Sequence, residues 1–295
     1  MTSTSAARPS RVVDAHVHLW DPARTDWYPY LSSGQAGLNM GDVTGMSRRF
    51  DVPTYRSEAA GWNVEKLVNV AAATGRHSVE ETLELDDRAA IDGHPDAIIG
   101  GLPPGSTADV IAAIDRQCAA ARFRGVRPMG AAEAGLPAPD VLRALQDRGL
   151  VFELMAHPDQ LVDAAAGLEG HPDLVVVVEH AGWPRNDGAD ERELWHLGID
   201  ALAGVGANVL CKLSGLAMPL HSMAADVLAP WVEYAIEAFG VDRCLFASNF
   251  PVDGLHGSFD QLYTAYADIT AGLDDDARDK LFAANAERVY RLSEN

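Results

Sequence analysis

The residues of this 295-residue chain best suited to chemistry are two histidines, His16 and His18, in the run Val12-Val13-Asp14-Ala15-His16-Val17-His18-Leu19-Trp20. The run opens on an apolar pair and reads as a buried strand. Side chains alternate along a strand, so Asp14, His16 and His18 are expected on one face. Two imidazoles presented together can grip a divalent metal or stabilise a developing negative charge. The plainer reading is a pair of exposed loop histidines. Position argues against it, because the strand stands near the chain start and feeds a long irregular stretch, as a first barrel strand feeds an active-site loop.

The elements that must position these residues recur along the chain. Short apolar runs lie at 12–16, 64–70, 97–101, 125–127, 150–155, 174–180, 207–213 and 244–248. Amphipathic segments fall between them, at about 78–92, 107–121, 138–147, 160–168, 191–203, 224–239 and 258–271. Alternation of this kind means parallel βαβ units, and eight of them predict a single-domain α/β fold, the closed (β/α)8 TIM barrel. No GxGxxG follows the first strand, which removes the main support for a dinucleotide fold. Residues 1–11 are expected to be a flexible tail and 12–295 the barrel domain. A long active-site loop over about 21–61, rich in Gly, Pro, Ser and aromatics, is expected to be an ordered cover. A last helix over about 275–292, opening on Asp274-Asp275-Asp276, is expected against the barrel exterior.

Chemistry in such a barrel sits at the C-terminal ends of the strands. Strand one ends in His16 and His18, strand four in Arg127, and strand five carries Glu153. Strand six ends in His180, strand seven carries Lys212 and Ser214, and strand eight runs into Ser248-Asn249-Phe250-Pro251 with Asp253 beyond. A barrel used only as scaffold has no need of so many titratable residues at one end. Trp20, Trp27 and Tyr30 in the first loop could wall a substrate ring.

Composition narrows the partners. A net charge of −20 argues against nucleic acid and anionic membranes. No apolar run approaches the ~20 residues of a membrane span, and residues 1–11 lack the apolar core of a signal peptide. Cys118, Cys211 and Cys244 form neither a disulfide framework nor a CxxC site, which fits a cytoplasmic protein acting on a small molecule. A homo-oligomer is compatible with all of this.

The motifs VDAHVHLWDP, FRGVRPMG, VVVVEHAGWP, CKLSGL and FASNFPVD, in this order, together with AANAERVYRL near the end, resemble the amidohydrolase superfamily. The branch they are most similar to is the amidohydrolase-2 branch of sugar lactonases and pyrone dicarboxylate lactonase. The resemblance implies a hydrolytic site opening a lactone or related cyclic ester. His16, His18 and His180 would stabilise the oxyanion, with one divalent metal such as zinc or manganese held by the same three residues, or without metal. Arg127 would face substrate oxygens; from its position alone it could instead pair across the mouth with Glu153 or Asp253. Lys212 could hold a substrate oxygen or form a structural ion pair, and Trp20 could contact the substrate from the first loop. Asn249 stands where the resemblance puts an aspartate that acts as base. An amide accepts no proton near neutral pH, so Asp253, Glu153 or Asp14 would have to take over, or a metal-bound water would need little base. Two other readings stay open: decarboxylation of an aromatic acid, and a barrel that binds without turnover. If Asn249 only fills the base's place, Asn249→Asp should preserve activity.

Overall fold

The computed structural model describes residues 6–32, 42–129 and 135–292. Eight strands form one sheet in chain order: β1 (Val12–Val17), β2 (Val64–Val70), β3 (Ala97–Leu102), β4 (Phe123–Pro128), β5 (Val151–Leu154), β6 (Val176–Val178), β7 (Val209–Leu213) and β8 (Cys244–Phe246). Each pairs in parallel with the next. Just past β8 the chain returns to β1. Asn249 N–H donates to the His16 carbonyl and His18 N–H to the Phe250 carbonyl, both at 2.9 Å. This closes the (β/α)8 barrel that the alternation predicts.

Helices α1 (Pro29–Ser32) and α2 (Val52–Glu58) lie in the long segment after β1. The outer layer is α3 (His77–Asp92), α4 (Thr107–Gln117), α5 (Pro139–Asp147), α6 (Pro158–Leu168), α7 (Ala189–Val205), the short α8 (Ala217–Leu220), α9 (Ala225–Phe239) and α10 (Phe259–Ile269). Local chemistry starts several of them. Ser106 and Ser258 form capping boxes with Asp109 and Gln261, and the Asp51 carboxylate accepts from Thr54 N–H. Among the described residues, no helix is long and apolar enough to cross a membrane.

Two apolar layers hold the barrel. The outer one packs strands on helices, with Trp195, Trp231, Tyr263 and Phe282 among its large side chains. The inner one gathers Val13, Ala15, Val68, Val70, Ala97, Ile99, Val151, Val177, Leu210, Leu245 and Ala247 from seven strands. It also takes Ala283, Ala286, Val289, Tyr290 and Leu292 from the last helical segment, α11 (Asp275–Asp279), a π-helical stretch Lys280–Ala284 and α12 (Asn285–Tyr290). The expected packing of this segment on the barrel exterior holds for Leu281 and Phe282, which join the outer layer; its other apolar face, with Tyr290 reaching Glu153, joins the inner layer and plugs the N-terminal end of the barrel.

Two further expectations change, and a third lies partly outside the described residues. The described part of the N-terminal segment is anchored: Ala6 N–H donates to Asp268, Arg8 bonds Asp260 and the Gly61 carbonyl and lies over Trp62, and Arg11 pairs with Asp279 and Glu287. Part of the 21–61 cover, residues 33–41, lies outside the described residues; its flanks are held by the antiparallel bridge between Trp20 and Phe50. Strand six is shorter than 174–180. After Val178 the chain turns, with His180 and Ala181 at φ 52° and 51°.

Candidate active site

A register irregularity aims the first-strand histidines. Asp14 pairs with Leu67 and Val17 with Asn69, three steps on β1 against two on β2. Such a bulge reverses the in–out parity of the residues beyond it. Val13 and Ala15 belong to the inner layer. Asp14 points the other way, accepting from Tyr55 OH of α2 and from Ser248 N–H, both at 2.8 Å. Beyond the bulge, His16 turns inward to within 4.8 Å of Glu153 and Glu179. The expectation that Asp14 shares a face with His16 and His18 is thus overturned. Asp14 is sealed between barrel and helices and cannot serve as base at the mouth.

The deepest polar layer is an ion pair. Lys212 Nζ bonds both carboxylate oxygens of Glu153, at 2.6 and 2.7 Å, and neither side chain is exposed. Tyr290, rising from the plug, donates its hydroxyl to Glu153 Oε1 at 2.6 Å. Lys212 and Glu153 are therefore committed to each other. Neither the expected substrate contact of Lys212 nor the expected base role of Glu153 is open to them here. Burial pushes the Glu153 carboxyl up, with Lys212 opposing.

Above it lies Glu179, fully buried and paired with Arg127 Nη1 at 3.1 Å. Arg127 spends Nε and Nη2 on the Ala71 carbonyl, and its side chain is 12% exposed. Burial works against ionising Glu179, but Arg127, His180 and Lys212 outweigh it and hold this carboxyl below its ordinary range. Arg127 thus faces a carboxylate of the protein where substrate was expected.

The histidines form the next layer. His16 Nε2 lies 3.2 Å from His18 Nε2, and the rings of His18 and His180 each stand 4.8 Å from that of His16. His18 Nδ1 reaches the Val70 carbonyl at 2.8 Å and His180 Nδ1 the Ser214 hydroxyl at 2.9 Å. Gly215 makes room for His180: at φ 64°, a Cβ there would lie 2.3 Å from His180 Nδ1. Burial disfavours charge on all three rings. Burial pushes His18 down to about 3 and His180 to about 4, with Arg127 opposing charge on both, and lowers His16 strongly.

Tautomer logic makes this layer informative. A carbonyl accepts, so His18 Nδ1 carries the proton and His18 Nε2 a lone pair. If His16 Nε2–H donates to it, the His16 Nδ1 lone pair faces Glu179 Oε1, 4.0 Å away. If His16 Nδ1 is protonated, two lone pairs meet at 3.2 Å. His16 Nδ1 and Glu179 Oε1 are both buried without a hydrogen-bond partner. An electropositive group at the two Nε2 atoms resolves both conflicts, and it leaves His16 Nδ1–H directed at Glu179, the usual support of a metal-binding imidazole. The residues therefore fit a divalent cation. The tightest donor group among the described residues is instead His16, Glu153 and Glu179, because His180 is drawn to Ser214. A cation in that deeper group would lie against the Lys212 ammonium.

At strand eight, Asn249 is buried, and its Nδ2 donates to Asp253 Oδ1 at 2.9 Å. Asp253 lies behind it with no exposure, its carboxyl pushed up to about 7 by burial. In the first loop Trp20 stacks on His18, rings 5.8 Å apart and 9° from parallel, and Tyr30 meets it edge-on. Trp27 is turned away onto His77 and Arg24. Sequence reasoning passed over Glu179 and Tyr290. A lone acid at the end of a valine run was a usable signal for Glu179; nothing local marked Tyr290.

A closed barrel gathers histidines, carboxylates and an arginine at its C-terminal end, the place where a (β/α)8 barrel carries its chemistry. The amidohydrolase family model matches residues 13–292, and the chain belongs to that family. It is 33% identical over 296 residues to the uncharacterized protein y4mH of Sinorhizobium fredii, covering 95% of this chain and 98% of that one. It is 28% identical over 295 residues to an L-fucono-1,5-lactonase of Burkholderia ambifaria, covering 95% of each. A Burkholderia multivorans amidohydrolase crystallised with bound zinc shares the fold at TM-score 0.81 and 22% identity, covering 96% of this chain and all of that one. The protein is a hydrolase.

Proposed function

We propose that this amidohydrolase opens a lactone, a cyclic ester of a sugar acid, at the C-terminal mouth of its barrel. The observation that carries the reading is the meeting of three buried imidazoles with His16 and His18 Nε2 3.2 Å apart. The likeness to lactonases supports the substrate class.

Each side chain takes a role from its contacts. His16 and His18 would hold a divalent cation, which when bound supplies Lewis-acid polarisation of the ester carbonyl. His180 is the remaining imidazole, and with Glu153, Asp14 and Asp253 occupied elsewhere it is the base. It takes a proton from the attacking water and returns it to the ring oxygen as the C–O bond breaks. Ser214 orients its Nδ1, and Glu179 Oε2, 3.9 Å from Nε2, favours the imidazolium that forms. Trp20 stacked on His18 covers the site and keeps bulk water off it.

The test is acid release from a panel of aldonolactones and a pyrone dicarboxylate, with metal content measured on protein purified without added metal. Turnover of an aldonolactone, with about one divalent ion per chain, is expected. Inertness to every lactone together with carbon dioxide release from an aromatic acid would overturn the proposal.

A further inference from the structure

The turn after β8 sets an amide and a carboxylate back to back. Asn249 has φ 56°, a region where, glycine apart, Asn and Asp are the residues most readily accepted. The backbone thus admits two side chains of one shape, and only chemistry separates them. Its peptide is held at both ends: N–H donates to the His16 carbonyl at 2.9 Å, and C=O accepts from Asp253 N–H at 3.0 Å. The Nδ2 to Asp253 Oδ1 bond at 2.9 Å then fixes the side chain.

Asp253 is enclosed between Asn249 and the segment behind His180. It has no exposed surface, and Oδ2 is buried without a partner. The backbone N–H groups of Gly215 and Ala217, in the loop that also backs His180, face its carboxyl. Oδ1 accepts whether Asp253 is ionised or carries its proton on Oδ2, so in either form it selects the NH2 end of the amide. The two ends of an amide diverge, so Asn249 Oδ1 is turned away from Asp253.

We infer that Asp253 is a positioning residue that locks the Asn249 amide with its oxygen as the acceptor presented beside His16. Resting on the lactonase reading, that oxygen holds the attacking water by accepting one of its hydrogens, while the other hydrogen goes to His180 as the new C–O bond forms. Asp253 never meets the water, so it is not the base. On this inference Asn249→Asp lowers activity rather than keeping or raising it, because that change alone sets two carboxyl groups against each other at hydrogen-bond distance. One must then hold a proton or turn aside.

The test is a cycle of Asn249→Asp, Asp253→Asn and the double exchange, read in kcat and KM on the best lactone and by NMR of the side-chain amides. In the wild type the Asn249 NH2 signal, assigned by its loss in Asn249→Asp, is expected shifted downfield and slow to exchange, and in Asp253→Asn it should relax toward free-amide values. Each single change should lower kcat about 10²-fold with KM little altered, and the double exchange, which restores one donor and one acceptor, should recover at least about a tenth of wild-type kcat. An unperturbed amide signal overturns the inference. So does a perturbed signal with wild-type kcat in Asp253→Asn, or a double variant no better than the singles. A wild type that turns over no lactone overturns the functional reading instead, and the amide signal still decides whether Asp253 locks Asn249.

Discussion

The two ends of the barrel are built from the same kinds of charged residue and finish them differently. At the plugged end Arg11 bonds Asp279 at 2.8 Å and Glu287 at 2.7 Å, and Lys66 bonds Glu287 at 2.8 Å. These charges are shared among partners and partly in contact with water. At the mouth, His16 Nδ1, Glu179 Oε1 and Asp253 Oδ2 are buried without partners. Each such atom costs about 1–3 kcal/mol, and the plug end carries one as well, Arg278 Nε. At the plug it belongs to an arginine that also bonds the Ala7 carbonyl, whereas at the mouth the unpartnered atoms belong to imidazole and carboxylate groups able to meet a guest. Between them the Glu153–Lys212 pair, touched from below by Tyr290, joins the two ends.

Lys212→Met tests that junction and has the largest expected effect. It strands the Glu153 carboxylate, and a loss of about 3–5 kcal/mol is expected from urea unfolding. Adding Glu153→Gln should return part of it. A loss under about 1 kcal/mol would mean that the middle of the barrel does not depend on the pair.

His16→Ala should act on turnover more than on stability. A fall in kcat/KM of about 10²–10³-fold is expected, with a urea midpoint close to wild type because a conflicted group has been removed. If the variant unfolds while Lys212→Met stays folded, the contrast between guest-tuned mouth and structural interior is broken.

The pH dependence sharpens the same contrast. Glu81, beside the mouth, is buried under Tyr28 and pushed up to about 7 by burial, against an ordinary 4.5. Between those values the folded chain holds a proton that the unfolded chain has released. The Glu81 contribution is therefore fully present below about 4.5 and is lost as pH rises through about 7. Glu81 by itself lowers the unfolding free energy across this window, while the histidines, held neutral by burial, raise it; Glu81→Gln should therefore make the measured slope more positive than in the wild type. An unchanged slope would show that its three hydrogen bonds, from Ala72 N–H, Ala73 N–H and Tyr28 OH, keep it ionised throughout.

The smallest effect is expected at the plug. Arg11 is 27% exposed, so Arg11→Ala should cost no more than about 1 kcal/mol and leave kcat unchanged. A kcat loss would mean that the plug communicates with the mouth.

Much of this architecture is legible in the residues themselves. The eight apolar runs correspond to the eight strands, since a strand buried on both faces must be a short continuous apolar run. His16, His18, Arg127, His180 and Asn249 stand at strand ends, and the fold brings them to one mouth. What misleads is parity and partnership. Alternation puts Asp14 beside the histidines, and a bulge with no local sequence mark moves it to the outer face. Arg127 and Lys212 read equally as substrate contacts or as ion-paired side chains, and only the fold shows that each finds a buried carboxylate, Glu179 and Glu153.

The sequence alone determined the barrel, the order of its strands and the end at which chemistry stands, because hydrophobic periodicity and residue type are local properties. Only the tertiary structure decided which groups are spent and which are free. Lys212 and Glu153 are 59 residues apart in sequence, and Tyr290 and Glu153 are 137 apart. Such pairings are set by barrel closure and by the depth to which the last helix enters it. The physical reason is that a charge must be matched once it is buried, and burial exists only when the whole barrel has formed.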